Sequence, residues 1–409
     1  MEWGPSSFLS TSEVLLRLVD RAGLTDSVVR ASPSSRCRYL WRAGRLRSLP
    51  SHPLQFFLND FLPIRTRARM LLEPLVPGRE VPGETITEFF QRRFGRSAAR
   101  WLADPMTAGA TGGLPENLEV STVFPKLVEW EREKGSVILG ALSAGRGKGP
   151  VEKRPWALDG GMASLPIGLA AVLGDAVELE TPVEELERVP SGWRLHLGDM
   201  SPSKTFDAGG VVLAVPGKPL SRLLRPIEKE AAELVGMTKY SSLALVQIGL
   251  DPRSLQFFPD GFGFLAPRGE GLSALGVIWS SSVFPHRAPE GKALLTAFLG
   301  GEREPHLLES SDDEIVAQGL EALRIAHGGD LLPELVRLGR AREAIALYHP
   351  GHGSRVKRIE GLLAGQRNLE VAGDHLEGVS AEASAASGER AARRLLSSIG
   401  VITHDNERV

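Results

Sequence analysis

Apolar positions at helical spacing over residues 11–24, namely Val14, Leu15, Leu18, Val19 and Ala22 with Gly23 behind them, predict an amphipathic helix. "RCRYLWRAGRLRSLP" instead alternates Arg with Tyr39, Trp41 and Leu46 about an Ala-Gly pair, which predicts a β-hairpin closed by Pro50. Residues 51–100 return to helical patterns: "PLQFFLNDFLP", "RTRARMLLEPLVP" and "TITEFFQRRFGRSAARWL", each broken by Pro or capped by Thr. "GGMASLPIGLAAVLG" reads as a turn and a helix, and Ala176–Leu197 as two strands around Pro182 and a Ser-Gly turn. "DAGGVVLAVPG" is a continuous apolar run between turn signals, the mark of a buried parallel strand. Residues 240–300 alternate short strands with Gly and Pro turns, which suits an antiparallel sheet, and "SSDDE" caps a helix over 312–327. The last sixty residues read helix, strand, turn, helix. This mixture is an α/β fold combined with α+β parts. The Gly- and Lys-rich "AGRGKGPVEK" is the clearest composition break and marks a boundary.

Composition adds little beyond an ordinary globular balance, with 42% hydrophobic and 24% charged residues in 409. That length predicts more than one domain. The net charge of -2 argues against a nucleic-acid binder, but its distribution is uneven. Residues 1–100 carry 16 Arg and no Lys against 9 acidic residues (+7), and the rest carry 32 basic against 41 acidic (-9). The basic part could face an anionic small molecule or a phospholipid surface. Amphipathic segments there set Phe56, Phe57, Phe61, Met70, Leu71 and Leu72 beside Arg65, Arg67 and Arg69. One cysteine, Cys37, excludes an intramolecular disulfide and a Cys-based zinc site. No signal peptide or spanning apolar run is visible, so a cytoplasmic protein is expected, with peripheral attachment to the inner face of the membrane left open.

Candidate chemistry gathers at Gly-rich corners. "NLEVAGDHLEGVSAEASAASGERAARRLL" reads as a strand, a Gly373-Asp374 turn, Gly378, and a helix N-terminus, which suits a pyrophosphate or a flavin ring. Gly160-Gly161 and the strand over 209–216 add to an α/β cofactor sheet. "GFGFLA" satisfies GxGxxG/A in letters only, because Pro267 follows where a helix should start. "HPGH", with His349 and His352, reads as a surface turn and not a metal site. No Walker A sequence or nucleophile elbow occurs.

In order along the chain, "EWGPSSF", "SRCRYLWRAGRLRSLPSHPL", "DPMTAGATGGLPENLEVSTVFPKLVEWEREKGSVILGAL", "DGGMASLPIGLA", "DGFGFLAPRGEG", "VIWSSSVFPHRAPEG", "LTAFLGGEREP" and "GLLAGQRNLEVAGDHLEGV" resemble the blocks of oxygen-dependent protoporphyrinogen oxidase. The resemblance runs from Glu2 to about Ile399. It implies an amine-oxidase-like FAD-binding domain, a mixed-sheet substrate domain and a helical membrane-binding subdomain. The implied spans are 1–30, 151–225 and 349–409 for FAD binding, 31–50 and 226–348 for the substrate domain, and 51–150 for the helical subdomain. It further implies oxidation of protoporphyrinogen IX, with FAD as cofactor and dioxygen as acceptor, in heme synthesis; a homodimer is compatible with it.

For sites, the resemblance implies that Arg38 pairs a substrate propionate and that the "AGATGG" turn with Gly109, Gly112 and Gly113 borders the tetrapyrrole. Leu265 and Phe284 would sandwich a pyrrole ring. Gly4, Pro5, Gly160, Gly161, Val183, Gly373, Asp374, Gly378 and Val379 would contact FAD. No acid or base is implied. Family members begin with a GxGxxG βαβ unit, and Met1-Glu2-Trp3-Gly4-Pro5 aligns just after it, so that clamp is expected to be missing. Ser380 stands where a second Gly is common, and Ala341, Arg342 and Ala346 replace a Trp-Pro pair and a later Pro. The alternative expectation is a non-catalytic homologue that binds tetrapyrrole without FAD.

Overall fold

The computed structural model describes residues 2–49, 62–144, 154–199, 203–257 and 260–401. Two units form, each from three stretches of chain: Met1–Thr11, Thr25–Ser164 and Tyr240–Pro350 make the first, and Ser12–Leu24, Leu165–Lys239 and Gly351–Val409 the second. The described parts of the expected spans 31–50 and 51–150 lie in the first unit, as does most of 226–348. Residues 349–350 and 151–164 also fall there, while most of 151–225 and 349–409 falls in the second unit.

A seven-stranded mixed sheet centres the first unit, in the order Pro333–Leu347, Lys239–Leu250, Ala293–Gly300, Gly276–Ile278, Gly263–Leu265, Arg38–Arg42, Arg45–Leu49. Gly263–Leu265 runs parallel to Arg38–Arg42, and it runs antiparallel to Gly276–Ile278. The Arg-rich hairpin closes through Ala43 and Gly44 at φ of 51° and 72°, both in the left-handed region that a two-residue primed turn requires. Helix Asp312–His327 starts at the Ser311/Glu314 capping box. It sets Ile315 and Leu323 against Val246, Ile248, Leu295 and Ala297 of the sheet. Gly319 allows this closeness, since a Cβ there would lie 2.9 Å from Val246 Cβ. A smaller sheet pairs Phe8–Leu9 and Val28–Arg30 with Pro155–Leu158.

Helices Ile64–Leu71, Ile86–Phe94, Asp104–Thr111, Pro125–Lys134 and Val137–Ala144 occupy the stretch read as helical. They bury Phe89, Phe90, Phe94, Leu118 and Val137 together. Among these apolar chains sits an ion network. Arg93 and Glu73, both fully buried, pair with each other, and Glu73 also accepts from Ser136 Oγ and from the Val137 N–H. Arg92 bridges Glu84 at 2.7 Å and Glu131 at 2.6 Å. Its hydrogen bond to Glu84, then the one to Glu131, push the Arg92 pKa up. Burial alone would raise Glu131, but hydrogen bonds from Arg92 and the Arg79 N–H outweigh it and hold the carboxyl below its ordinary value.

The second unit contains an antiparallel sheet, Val183–Val189, Gly192–Leu197 and Thr205–Ala208, and a parallel pair, Val211–Leu213 with Leu369–Val371. Helices Gly217–Leu224, Lys229–Gly236 and His352–Leu363 bury Leu186, Trp193, Val211, Leu213, Leu369 and Val371 in one core. Trp193 Nε1–H donates to the Arg367 carbonyl at 3.2 Å. Helix Glu13–Arg21 joins helix Ala381–Ser398 through the Arg17–Glu389 ion pair at 2.8 Å.

Three expectations are corrected. "HPGH" is not a surface turn throughout: the left-handed Gly351 (φ 83°) lets a helix begin at His352, which is buried and whose Nε2 meets the Leu376 carbonyl at 3.0 Å. In "AGATGG" residues 108–111 are not a turn, because the helix from Asp104 continues to Thr111 and stops only at left-handed Gly112 (φ 67°). Of Ala176–Leu197, only the part after Pro182 is paired as strands. "GFGFLA" contributes the strand Gly263–Leu265 and no nucleotide turn. "AGRGKGPVEK" after Ala144 and Phe56, Phe57 and Phe61 lie outside the described residues.

Candidate active site

A cavity of about 240 Å³ opens within the first unit. One wall is backbone: Gly4, Gly160 and Gly161, from the segment "EWGPSSF" and the turn after strand Pro155–Leu158. Gly161 is left-handed at φ 89°, and a Cβ there would lie 3.0 Å from Glu2 Oε1. Ile278, Leu294 and Phe298 of the large sheet form the apolar wall. Ser280 and Thr296 add hydroxyls that share a 3.0 Å hydrogen bond.

Charge is fixed at one side of this cavity. Glu2 accepts from the Met162 N–H at 2.8 Å and from Arg287 at 3.2 Å. Arg287 also donates to the Ser6 carbonyl at 2.7 Å and stacks 4.6 Å over the Phe284 ring. Burial lowers the Arg287 pKa and Glu2 opposes that. The pair is therefore mutually neutralising in a half-enclosed place.

Gln247 is the informative polar group. It is 1% exposed, its Nε2–H donates to the Glu2 carbonyl at 2.5 Å, and its Oε1 has no partner among the described residues. A buried acceptor left open beside a cavity costs free energy unless a ligand donor meets it. Glycine backbone, an apolar wall and a waiting acceptor fit a flat heteroaromatic ring with an N–H edge, such as a flavin.

Of the expected substrate residues, Arg38 heads an edge-side strand with its guanidinium 5.0 Å over the Phe262 ring. It meets no carboxylate among the described residues. Phe262 and Ile278 pack on the buried group of Ala31, Ala157, Val283 and Phe284, so Arg38, Phe284 and the cavity wall share one neighbourhood. Phe284 itself is core, covered by Arg287. Leu265 lies against Gly109, where a Cβ would come within 2.6 Å of it. Gly112 and Gly113 are buried against Ser241, Leu243, Leu118 and Leu347, so protein atoms already occupy the space their missing side chains leave. Pro5 is exposed and does not line the cavity.

The remaining expected cofactor residues belong to the second unit. Val183 begins a strand and packs on the core there. After strand Leu369–Val371, Gly373 takes φ 144° and its N–H donates to Ser387 Oγ at 3.2 Å. Asp374 is half-buried, Gly378 is left-handed at φ 79°, and half-buried Val379 precedes Ser380, whose Oγ caps the 18-residue helix by accepting from the Ala383 N–H at 3.1 Å. Such a corner presents N–H groups and a positive dipole end, which fits a diphosphate.

Sequence reasoning missed Glu2, Gln247 and Arg287 as lining residues. Gln247 had a signal: it is the lone amide in the apolar strand run "SLALVQIGL". Glu2 and Arg287 lay inside recognised blocks, yet nothing in their spacing pairs residues so distant in sequence.

The chain matches the profile of the family described as flavin containing amine oxidoreductase over residues 1–396. It is 31% identical over 340 residues to protoporphyrinogen oxidase 1, chloroplastic, of Arabidopsis thaliana, covering 77% of this chain and 62% of that protein. To coproporphyrinogen III oxidase of Bacillus subtilis (strain 168) it is 26% identical, covering 93% and 83%. The chain thus spans about three-fifths of the length of the plant relative. A crystal structure from Exiguobacterium sp. 255-15 superposes with TM-score 0.80 at 24% identity, over 97% of this chain and 88% of that one. Cyclohexylamine oxidase from Brevibacterium oxydans IH-35A superposes with TM-score 0.68 at 16% identity, over 98% and 88%.

Proposed function

Because this chain belongs to the flavin containing amine oxidoreductase family, whose cofactor is FAD, we propose that it oxidises a porphyrinogen, protoporphyrinogen IX, to protoporphyrin IX with dioxygen as final acceptor in heme synthesis. The observation that carries this reading is the cavity of the first unit, with its glycine wall and the open Gln247 acceptor. The named relatives oxidise protoporphyrinogen or coproporphyrinogen by their names, which supports a porphyrinogen as the substrate class.

The chemistry FAD supplies when bound is hydride acceptance and electron delivery to dioxygen. Gly4, Gly160, Gly161 and Gln247 would hold the ring. Arg38, flat on Phe262 and free of a carboxylate partner among the described residues, pairs a substrate propionate bidentately. Ile278, Leu294 and Phe298 exclude water from the reacting face. The protein's task is positioning and enclosure.

Two further assignments belong to the same reading. Ile64, Leu71, Leu72 and Leu75 are exposed on the helical stretch beside Arg65, and this face makes peripheral contact with an anionic membrane at the cytoplasmic side. Among the described residues no helix is long and apolar enough to cross a membrane. The chain works as a homodimer or a monomer, which sedimentation distinguishes. The function itself is tested by adding protoporphyrinogen IX to the FAD-loaded chain in air. Porphyrin fluorescence and peroxide rising together are expected. Porphyrin binding without flavin uptake or turnover would instead favour a non-catalytic tetrapyrrole binder.

A further inference from the structure

Three parts of the cavity wall meet at Glu2. Its main-chain carbonyl accepts from Gln247 Nε2 at 2.5 Å, while its carboxylate accepts from the Met162 N–H at 2.8 Å and from Arg287 at 3.2 Å. Arg287 is held in turn by the Ser6 carbonyl at 2.7 Å and by the Phe284 ring beneath it. One residue therefore fastens the Glu2–Ser6 segment to the turn at Gly160–Gly161, to the Phe284–Arg287 stretch and to strand Lys239–Leu250. Carboxylate and guanidinium are largely enclosed, at 15% and 12% exposure. Removing one leaves the other without its counter-ion, a cost the segment relieves by moving.

Any such movement bears on Gln247. A carbonyl oxygen only accepts, so the end of the Gln247 amide that faces Glu2 is the NH2, and the end left open is Oε1. Thr296, the partner of Gln247 on the neighbouring strand, turns its hydroxyl to Ser280 instead, at 3.0 Å. With the Glu2 carbonyl displaced, the amide is free to turn over and present its NH2 to the cavity. The polarity that the cavity shows at this point is therefore decided at Glu2.

We propose that Glu2, braced by Arg287, is a positioning residue: it fixes the Gln247 amide with its oxygen toward the cavity and makes the site select planar rings that offer an N–H there. This role rests on the flavin reading of the cavity and narrows it. An oxidised flavin ring has a single N–H, at N3, flanked by two carbonyls. That N–H meets Gln247 Oε1, whereas a carbonyl edge in the same place would set two acceptors against each other at a buried point.

The test titrates the 409-residue chain with lumiflavin, the bare ring, and with 3-methyllumiflavin, whose one N–H is replaced by a methyl group, following flavin fluorescence. Lumiflavin is expected to bind roughly ten-fold or more tightly than its methylated form, as one hydrogen bond to a buried acceptor implies. The ratio collapses toward one in Glu2→Ala and in Gln247→Leu, and it survives in Glu2→Gln, whose amide oxygen still accepts from Met162 and Arg287. Circular dichroism and the backbone hydrogen exchange of Lys239–Leu250 report that the variants are folded. If Glu2→Ala weakens both rings alike and leaves the ratio, Glu2 is structural only and the proposal is overturned. A ratio that persists in Gln247→Leu overturns it too, since it reports the bulk of the methyl group. If neither ring binds, the flavin reading fails, and hydrogen exchange of the Gln247 side-chain amide decides the positioning role. Exchange roughly ten-fold faster in Glu2→Ala than in the wild type sustains that role, and equal rates overturn it.

Discussion

Arg38 and Gln247 show two ways a side chain can be left waiting. Arg38 is a charge laid on an aromatic ring with no counter-ion among the described residues, and Gln247 is a buried amide with one end satisfied. In the FAD-loaded chain, Arg38→Ala is expected to raise KM for protoporphyrinogen roughly ten-fold or more, the value of a charge-assisted contact of about 1.5–3 kcal/mol, with kcat little changed. Arg38→Lys restores part of the loss. Unchanged kinetic constants would remove the propionate role. His375 waits differently: it is buried, neither ring nitrogen is hydrogen-bonded among the described residues, and burial, then the neighbouring His352, depress its pKa to about 4. Its unfolded value is near 6.5, so the unfolded chain binds more protons between those values. Stability is complete above about pH 6.5 and falls toward pH 4, by about 3 kcal/mol from this group. Urea unfolding at several pH values should show that slope in the wild type and a flatter one in His375→Met; equal slopes would count against it. The open end of Gln247 could be suspected from one amide in an apolar strand. The Glu2–Arg287 pair could not, since 285 residues separate its members.

At the scale of elements, local signals and folded structure agree where the signal is backbone chemistry. The Ala43-Gly44 turn, the Ser311/Glu314 and Thr85/Glu88 capping boxes and the apolar run at Val211–Leu213 all fold as their residues dictate. Reading failed where tertiary context decided: "AGATGG" has turn letters, yet Thr107 O accepts from Thr111 Oγ at 2.9 Å within a helix that ends only at Gly112. The Glu73–Arg93 network was likewise invisible, because a sequence does not say which charges are buried. It ties the segment Glu73–Leu75 to helices Ile86–Phe94 and Val137–Ala144. Glu73→Gln should cost about 3–5 kcal/mol, since it strands a buried guanidinium, and chemical denaturation measures this directly. Glu129→Gln, in an exposed pair with Lys126, is the control and should be nearly silent. A face for membranes is an element-scale claim too. Leu72→Asp with Leu75→Asp should abolish co-flotation with anionic vesicles and leave unfolding unaltered.

For the whole molecule, the chain crosses between its two units five times, so neither unit is one continuous segment. The broad class was legible from alternating strand and helix patterns, and the resemblance of ordered blocks carried it to a family. That Gly4, Gly160 and Gly161 share one site was implied by that resemblance and by no local pattern, because it depends on the assembly of stretches far apart in the chain; the Gln247 and Arg287 lining of that cavity was not legible. The account stands on that cavity being a flavin site. Its most direct test is to titrate FAD with the 409-residue chain and follow flavin fluorescence and the visible spectrum, with Gln247→Leu alongside. Saturable binding approaching one flavin per chain, weakened roughly ten-fold or more by Gln247→Leu, is the predicted result; no uptake at any concentration by a chain that circular dichroism shows to be folded would contradict it.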